Sequence, residues 1–205
     1  MDTASTIRNF FPPRQSDSKK SSSFHLLIHG QIDSGTNMPA QRLYCRYTLS
    51  YGSDWTNVGM ASGITQIAHS RNNKVIWNFP LEFVLRSTNA HGWPRICFAI
   101  YGHDYFGRDV VQGYGSVLIP TSSGRHAMYI EIFRPLSGNK CHAVLNWLRG
   151  VCPEYYDTSY SASGEGRGIT KTQSVGEVKI VINTAVQDLA KCGFTSSGTF
   201  NQKSR

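Results

Sequence analysis

No apolar run in the sequence approaches the ~20 residues that a membrane-crossing helix needs, and Ile96 to Tyr101 is among the longest. The N-terminus lacks the apolar core of a secretory signal, and Asp2 after Met1 removes N-myristoylation. The closing Lys-Ser-Arg is no prenylation box. These absences predict a soluble, intracellular chain. Cysteine is scarce and odd in number, five in all, with no C-x-x-C and no Cys/His pair at zinc-finger spacing. Free thiols are therefore expected, with Cys45 and Cys97 acting as small hydrophobes on apolar strands. Cys141, Cys152 and Cys192 flank a short helix and the last strand, and neither a structural disulfide nor a zinc site is predicted.

Catalytic signatures are missing as well. Gly113-Tyr114-Gly115-Ser116 enters a strand and lacks the spacing of a nucleophile elbow. Gly164-Glu165-Gly166-Arg167-Gly168 is rich in glycine, yet it has neither G-K-[ST] nor G-x-G-x-x-G, so it predicts no phosphate cradle. Seven histidines and scattered carboxylates form no readable acid–base pair. The sequence thus predicts no enzyme: no catalytic, cofactor-binding or metal-binding residue and no cofactor. His25 and His29 share a strand face without a third ligand.

Acidic residues are few, 13 against 21 Lys and Arg, for a net charge of +8. Residues 1–23 hold +2 of that charge and residues 191–205 hold +3, which leaves only +3 for the middle. Such a spread offers no concentrated basic face, so no nucleic-acid partner is predicted. Weak contact with an anionic membrane is compatible with it, at about 1 kcal/mol per well-placed base.

What the chain does contain is strand. Lys74 to Pro120 reads as three or four strands punctuated by Gly, Pro and Asn. Val75–Asn78 and Leu81–Ser87 flank a bulge or bend at Phe79-Pro80, and Thr88 to Gly92 forms a turn. Pro94 opens a strand over Arg95–Tyr101 that is buried on both faces. A polar-aromatic loop over Gly102–Gly113 then leads to a strand over Tyr114–Ile119. Before this unit lie Phe24–Asp33, ended by Ser34-Gly35, and Leu43–Tyr51, whose period of two marks a half-buried antiparallel strand. Gly52–Ser62 reads as a loop, Gly63–Ala68 as a short strand and His69–Asn73 as a polar turn. After the unit, His126–Phe133 alternates with Met128, Ile130 and Ile132 on one face. Lys140–Arg149 has a helical stripe of Val144, Leu145 and Leu148. Pro153–Gly168 is a long loop, and Ser174–Val186 is the last strand, with Val178, Ile180 and Ile182 on one face. The expected architecture is all-β, an antiparallel sandwich of about eight strands with one short helix. Residues 1–23 form a flexible arm, 24–190 the domain and 191–205 a flexible tail.

With chemistry excluded, surface remains. Trp93, Tyr105, Phe106 and Tyr114 lie in or beside the loops of the central hairpin, and Tyr155, Tyr156 and Tyr160 crowd the late loop. Any single one of them is expected to plug the sandwich core, yet as a group such aromatics are the usual anchors of protein interfaces. Phe10-Phe11-Pro12-Pro13 in the arm reads as a sticky spot in a tail, with a peptide that docks on a partner as the sharper alternative.

The order of these pieces also carries a resemblance. I-Y-G-x-D-x-F-G-x-D-V-V-x-G-Y-G-x-V-x-x-P over residues 100–120 follows V-x-W-N-F-P at 75–80 and G-W-P at 92–94. Leu43-Tyr44-Cys45, Tyr51-Gly52-Ser53-Asp54-Trp55, Gly124-Arg125-His126, Pro153-Glu154-Tyr155 and Gly164-Glu165-Gly166-Arg167 complete the pattern. Together, from about Phe24 to Phe194, they resemble the B9 domain, a divergent C2-like β-sandwich of ciliary transition-zone proteins. The resemblance implies a non-enzymatic scaffold in a Meckel-syndrome-type complex at the transition zone, basal body and cytoskeleton of the ciliary base. That complex supports ciliogenesis and the barrier to ciliary membrane protein entry. Implied partners are the two other B9-domain proteins and tectonic-type membrane proteins. The alternative implied by a C2-like fold is calcium-dependent or calcium-independent phospholipid binding. Calcium needs six to eight oxygens. Here Asp104 and Asp109 with Asp54 in the opposing loop are the acids in view, and Gly102 stands where calcium-binding C2 domains usually carry an aspartate.

Overall fold

The computed structural model describes residues 23–103, 107–135 and 172–194. These residues contain ten strands: β1 Phe24–Thr36, β2 Arg42–Ser50, β3 Trp55–Asn57, β4 Ser62–Ile64, β5 Ala68–His69, β6 Lys74–Ser87, β7 Arg95–His103, β8 Asp109–Leu118, β9 Gly124–Pro135 and β10 Thr172–Gln187. The pairings among them are antiparallel, in the order β3-β6-β1-β10-β9-β8-β7-β2-β4, with β5 also on β2. Between β9 and β8 the ladder thins to one pair, Tyr114↔Phe133. There the sheet folds over, so β3-β6-β1-β10-β9 faces β8-β7-β2-β4 as a sandwich. Alternate side chains from both layers meet inside: Leu26, Ile28, Leu81, Leu85, Ile180 and Ile182 from one, and Leu43, Cys45, Ile96, Phe98 and Ile100 from the other. Each large apolar side chain buried this way contributes ~1.5–3 kcal/mol.

Glycines set the closed side. A Cβ at Gly113 would meet Ile132 at 2.6 Å, and one at Gly115 would meet it at 2.7 Å, so only glycine lets β8 lie this close to β9. The neighbouring Tyr114 is 2% exposed. It is therefore a packing residue, and its expected place beside a loop is corrected.

The alternation in β2, β9 and β10 is as read from sequence, and β7 is buried on both faces from Ile96 to Ile100. Several boundaries move. The expected loop over Gly102–Gly113 is mostly strand, because β7 runs to His103 and β8 starts at Asp109. β1 does not stop at Ser34-Gly35; it continues to Thr36 across a register shift between Ile32 and Ser34. The bend in β6 is one or two residues early: Phe79 pairs with Ile32 and Ile76 with Ser34, leaving Trp77-Asn78 as the irregular step. Asn78 takes φ 46°, in the left-handed region that Asn tolerates. Pro80 is in ladder register with Gln31. The Val84 carbonyl accepts from Val58 N–H on the open side of β6. By the two-residue period, Glu82 and Pro80 aim their backbone the same way, where a missing N–H breaks no ladder bond. The turn at His69–Asn73 is a tight one, with Asn72 and Asn73 at φ 52° and 59° between mutual bonds of Arg71 and Lys74.

Packing continues past the expected boundary at 190. A 3-10 turn at Ala190–Cys192 brings Phe194 against Phe24, with ring centroids 5.9 Å apart. The helix expected over Lys140–Arg149 and the loop over Pro153–Gly168 lie outside the described residues. So do Asp104, Tyr105, Phe106, Tyr155, Tyr156 and Tyr160.

Candidate interaction surfaces

The two ends of the sandwich are built differently. At the end where β7 begins, Phe24 packs edge-on against Trp55 (5.3 Å) and stacks on Trp93 (6.3 Å), and the two tryptophans meet at 5.1 Å. Both indoles are tied to backbone: Trp55 Nε1 donates to His91 O (2.9 Å) and Trp93 Nε1 to Ile119 O (2.9 Å). Trp93 is thus a half-buried strut. This cluster plugs its end of the sandwich.

At the other end Tyr44 stacks on Tyr101, at 5.2 Å and 7° between planes. Asp109 accepts a hydrogen bond from the Tyr44 hydroxyl and lies 3.6 Å from His103 Nε2. Burial first, then the Asp109 carboxylate, pushes the Tyr44 phenol up to about 12. A raised phenol favours the neutral form in the folded state. Its contribution is intact below pH 10 and is lost as pH rises from 10 through 12. Tyr44→Phe should therefore flatten the alkaline limb of stability in that window, checked by denaturant unfolding at stepped pH. An unchanged limb would contradict it.

Asp54 and Asp109 do not face each other. Trp55, the residue after Asp54, pairs with Ser87 beside the start of β7, whereas Asp109 pairs with His103 at its finish. The nine residues of β7 separate them by roughly 27 Å, at about 3.4 Å per step. Asp54 instead accepts from Asn89 Nδ2 (3.2 Å), capping the turn. The opposed-loop calcium arrangement is corrected on this geometry, and no cluster of three candidate metal ligands occurs among the described residues. A calcium site of about 10 μM affinity would add about 2.7 kcal/mol at a hundredfold excess of calcium. We expect no such change: the melting temperature should be the same in millimolar calcium and in EGTA. A rise of several degrees would contradict this.

Burial also pushes the Cys45 thiol far up, so it behaves as the predicted hydrophobe. Cys45 and Cys97 are buried and Cys192 half-buried, with no disulfide joining any of the three. Cys141 and Cys152 lie outside the described residues. His25 is half-buried and His29 exposed on β1.

The open side of the sandwich is the least satisfied surface. Residues 55–69 lace from one sheet to the other along it. Val58 N–H donates to Val84 O on β6, the Ala61 carbonyl accepts from Leu49 N–H on β2, Thr65 N–H donates to Cys45 O, and Gln66 Nε2 donates to Trp77 O. Five large apolar side chains stand out along this lacing: Val58 (66% exposed), Met60 (83%), Ile64 (55%), Ile67 (45%) and Ile76 (57%). Exposed Arg42, Arg46, Arg71 and Lys74 flank them, and Arg46 is the direct cross-strand neighbour of Ile64. None of the four has an ion pair among the described residues. From Ser34 to Leu81 the chain carries one acid, Asp54. Sequence reasoning read this stretch as loop and short strand and missed the row. The missing acids were the available signal.

This architecture defines an antiparallel β-sandwich with exposed apolar side chains along its open side. The family model described as ciliary basal body-associated B9 protein, B9-C2, matches residues 26–185. B9 domain-containing protein 1 of Homo sapiens is 39% identical over 183 residues, covering 87% of this chain and 90% of that protein. The Mus musculus protein of that name is 41% identical over 175 residues, covering 83% and 86%. B9 domain-containing protein 2 of Xenopus laevis is 27% identical over 172 residues, covering 83% and 97%. A solved C2 domain of plant Extended Synaptotagmin 1 aligns at 12% identity and a TM-score of 0.44, over 77% of this chain and 92% of that one. The chain belongs to the ciliary basal body-associated B9 family.

Proposed function

We propose that this chain is a non-enzymatic scaffold of the ciliary transition zone, joined to two other B9-domain proteins and to tectonic-type membrane proteins. In that role it supports ciliogenesis and the barrier to ciliary membrane protein entry. Family membership supports the ciliary setting. One structural observation carries the scaffold reading: beside a large buried apolar core, Val58, Met60, Ile64, Ile67 and Ile76 stand exposed along one side of the sandwich. Exposed apolar surface of this kind marks interaction sites. The flanking cations favour a second reading, calcium-independent contact with anionic phospholipid.

The test is placement in a ciliated cell. The tagged chain should concentrate in a narrow band between basal body and axoneme, and its removal should let non-ciliary membrane proteins enter the cilium. Signal along the whole axoneme or through the cytosol, with the barrier intact on removal, would contradict the proposal.

A further inference from the structure

We propose that two copies of this chain pair face to face through the outer surface of β6-β1-β10-β9, about a two-fold axis lying across the strands. The inference goes beyond the scaffold reading, and neither depends on the other.

This surface is the solvent side of the layer whose inner side holds Leu26, Ile28, Leu81, Ile180 and Ile182. Its four strands are 14, 13, 16 and 12 residues long. At ~4.8 Å between strands and ~3.4 Å per residue, they present roughly 800 Å². An interface of standard size takes ~800 Å² from each partner, so the face is large enough for one.

The face is complementary to itself. Ladder register, followed from β6 through β1 and β10 to β9, lines its outward residues up in rows across the sheet. Glu82 and Arg125 stand at the two ends of one row, and Pro80 and Ala127 at the ends of the next. Ile76 and Tyr129 end the third row, and Lys74 and Glu131 the fourth. A two-fold axis midway exchanges the first row with the fourth and the second with the third. Arg125 then lies over Glu131 of the second copy, and Glu82 over its Lys74. Tyr129, 62% exposed, enters the hollow above the second copy's Ala127, and Ile76, 57% exposed, lies on its Pro80. Each contact occurs twice, once from each copy. Facing sheets pack with their strands ~30° apart, an offset that long charged side chains can follow.

The charged groups find no such partners within one copy. Arg125 and Glu131 lie roughly 20 Å apart along β9. None of Lys74, Glu82, Arg125 and Glu131 has an ion pair among the described residues. The net charge of +8 opposes self-association elsewhere, whereas in these four rows Glu82, Glu131 and Glu177 balance Lys74, Arg125 and Lys179. Charges farther off than ~8 Å are largely screened at physiological salt. The ion pairs set the orientation, and burial of Tyr129 and Ile76 supplies the attraction. Val58, Met60, Ile64 and Ile67 lie outside these rows.

Light scattering after size exclusion, on the full chain from about 1 to 100 μM, reads the association directly. We expect a mass near twice 22.8 kDa at the upper end, falling toward 22.8 kDa on dilution. Arg125→Glu and Glu131→Arg should each weaken pairing roughly tenfold or more. Both residues are exposed, so melting temperature should stay near the parent value. The double variant, with the two charges exchanged, should recover pairing to within about threefold, which a merely damaged fold would not do. Should a single variant unfold, Ala127→Arg, which fills the hollow, replaces it with the same loss expected. A mass of 22.8 kDa at every concentration would overturn the proposal, as would a dimer indifferent to these variants. So would a monomer whose Arg125→Glu variant loses a B9-domain partner, because the face would then belong to that partner. A monomeric chain that still co-assembles with other B9-domain proteins would sink the pairing and leave the scaffold reading standing.

Discussion

Trp77→Ala is expected to lower the unfolding free energy by ~3–5 kcal/mol, the usual cost of deleting a large buried aromatic. For a domain of this size that is a fall of roughly 6–20 °C in melting temperature. Trp77 is 2% exposed, and its Nε1 reaches across the sandwich to donate to Leu43 O at 3.2 Å. Its ring also lies over Gly35, where a Cβ would come within 2.9 Å of it. It therefore ties β6 to β2 on the open side, where no continuous ladder joins the layers. Trp77→Phe keeps most of the ring and loses the indole donor, so its cost should be nearer ~1 kcal/mol plus a small repacking cost. Urea unfolding of the two variants checks both values. A Trp77→Ala protein as stable as the parent would mean that the sheets are held at this edge by something else.

Gly30→Val should be the most damaging single addition of atoms. Gly30 sits mid-strand in β1, between Ile182 of β10 and Leu81 of β6. A Cβ there would run into the Val181 carbonyl and come within 2.7 Å of Ile182 Cα. These are backbone atoms of a paired strand, so no rotamer change relieves the clash. Overpacking costs ~1–3 kcal/mol where side chains can shift. Here we expect about 3 kcal/mol or more, with a melting temperature lower by roughly 6–12 °C. Thermal unfolding followed by circular dichroism reads this directly. A loss under about 1 kcal/mol would show that β1 and β10 can part locally without losing the sandwich.

The sandwich was legible where one face meets water and the other meets core. β2, β9 and β10 announce themselves by alternation, and β7 by five consecutive buried residues. Bends were less legible because they depend on pairing partners. Phe79-Pro80 looks like the break in β6, yet the step falls at Trp77-Asn78 because it answers the irregularity opposite, in β1. A proline reads as an interruption only until its edge position is known. Tyr114 looked like a surface aromatic because it opens the strand that follows the expected Gly102–Gly113 loop, whereas Gly113 and Gly115 on either side of it are the clearance for Ile132. Asp54 and Asp109 appeared opposable because sequence order does not say which end of a strand a loop crowns. The apolar row from Val58 to Ile76 was hidden for the opposite reason. Four of its residues, Val58, Met60, Ile64 and Ile67, come from a lacing segment with no period, and only the crossing between β6 and β2 brings them to the open side.

Co-expression of this chain with two other B9-domain proteins, followed by size-exclusion chromatography in EGTA, tests the central claim most directly. The scaffold account predicts a stable co-eluting complex that needs no calcium. A chain that runs alone, and meets anionic vesicles only when calcium is added, would contradict it.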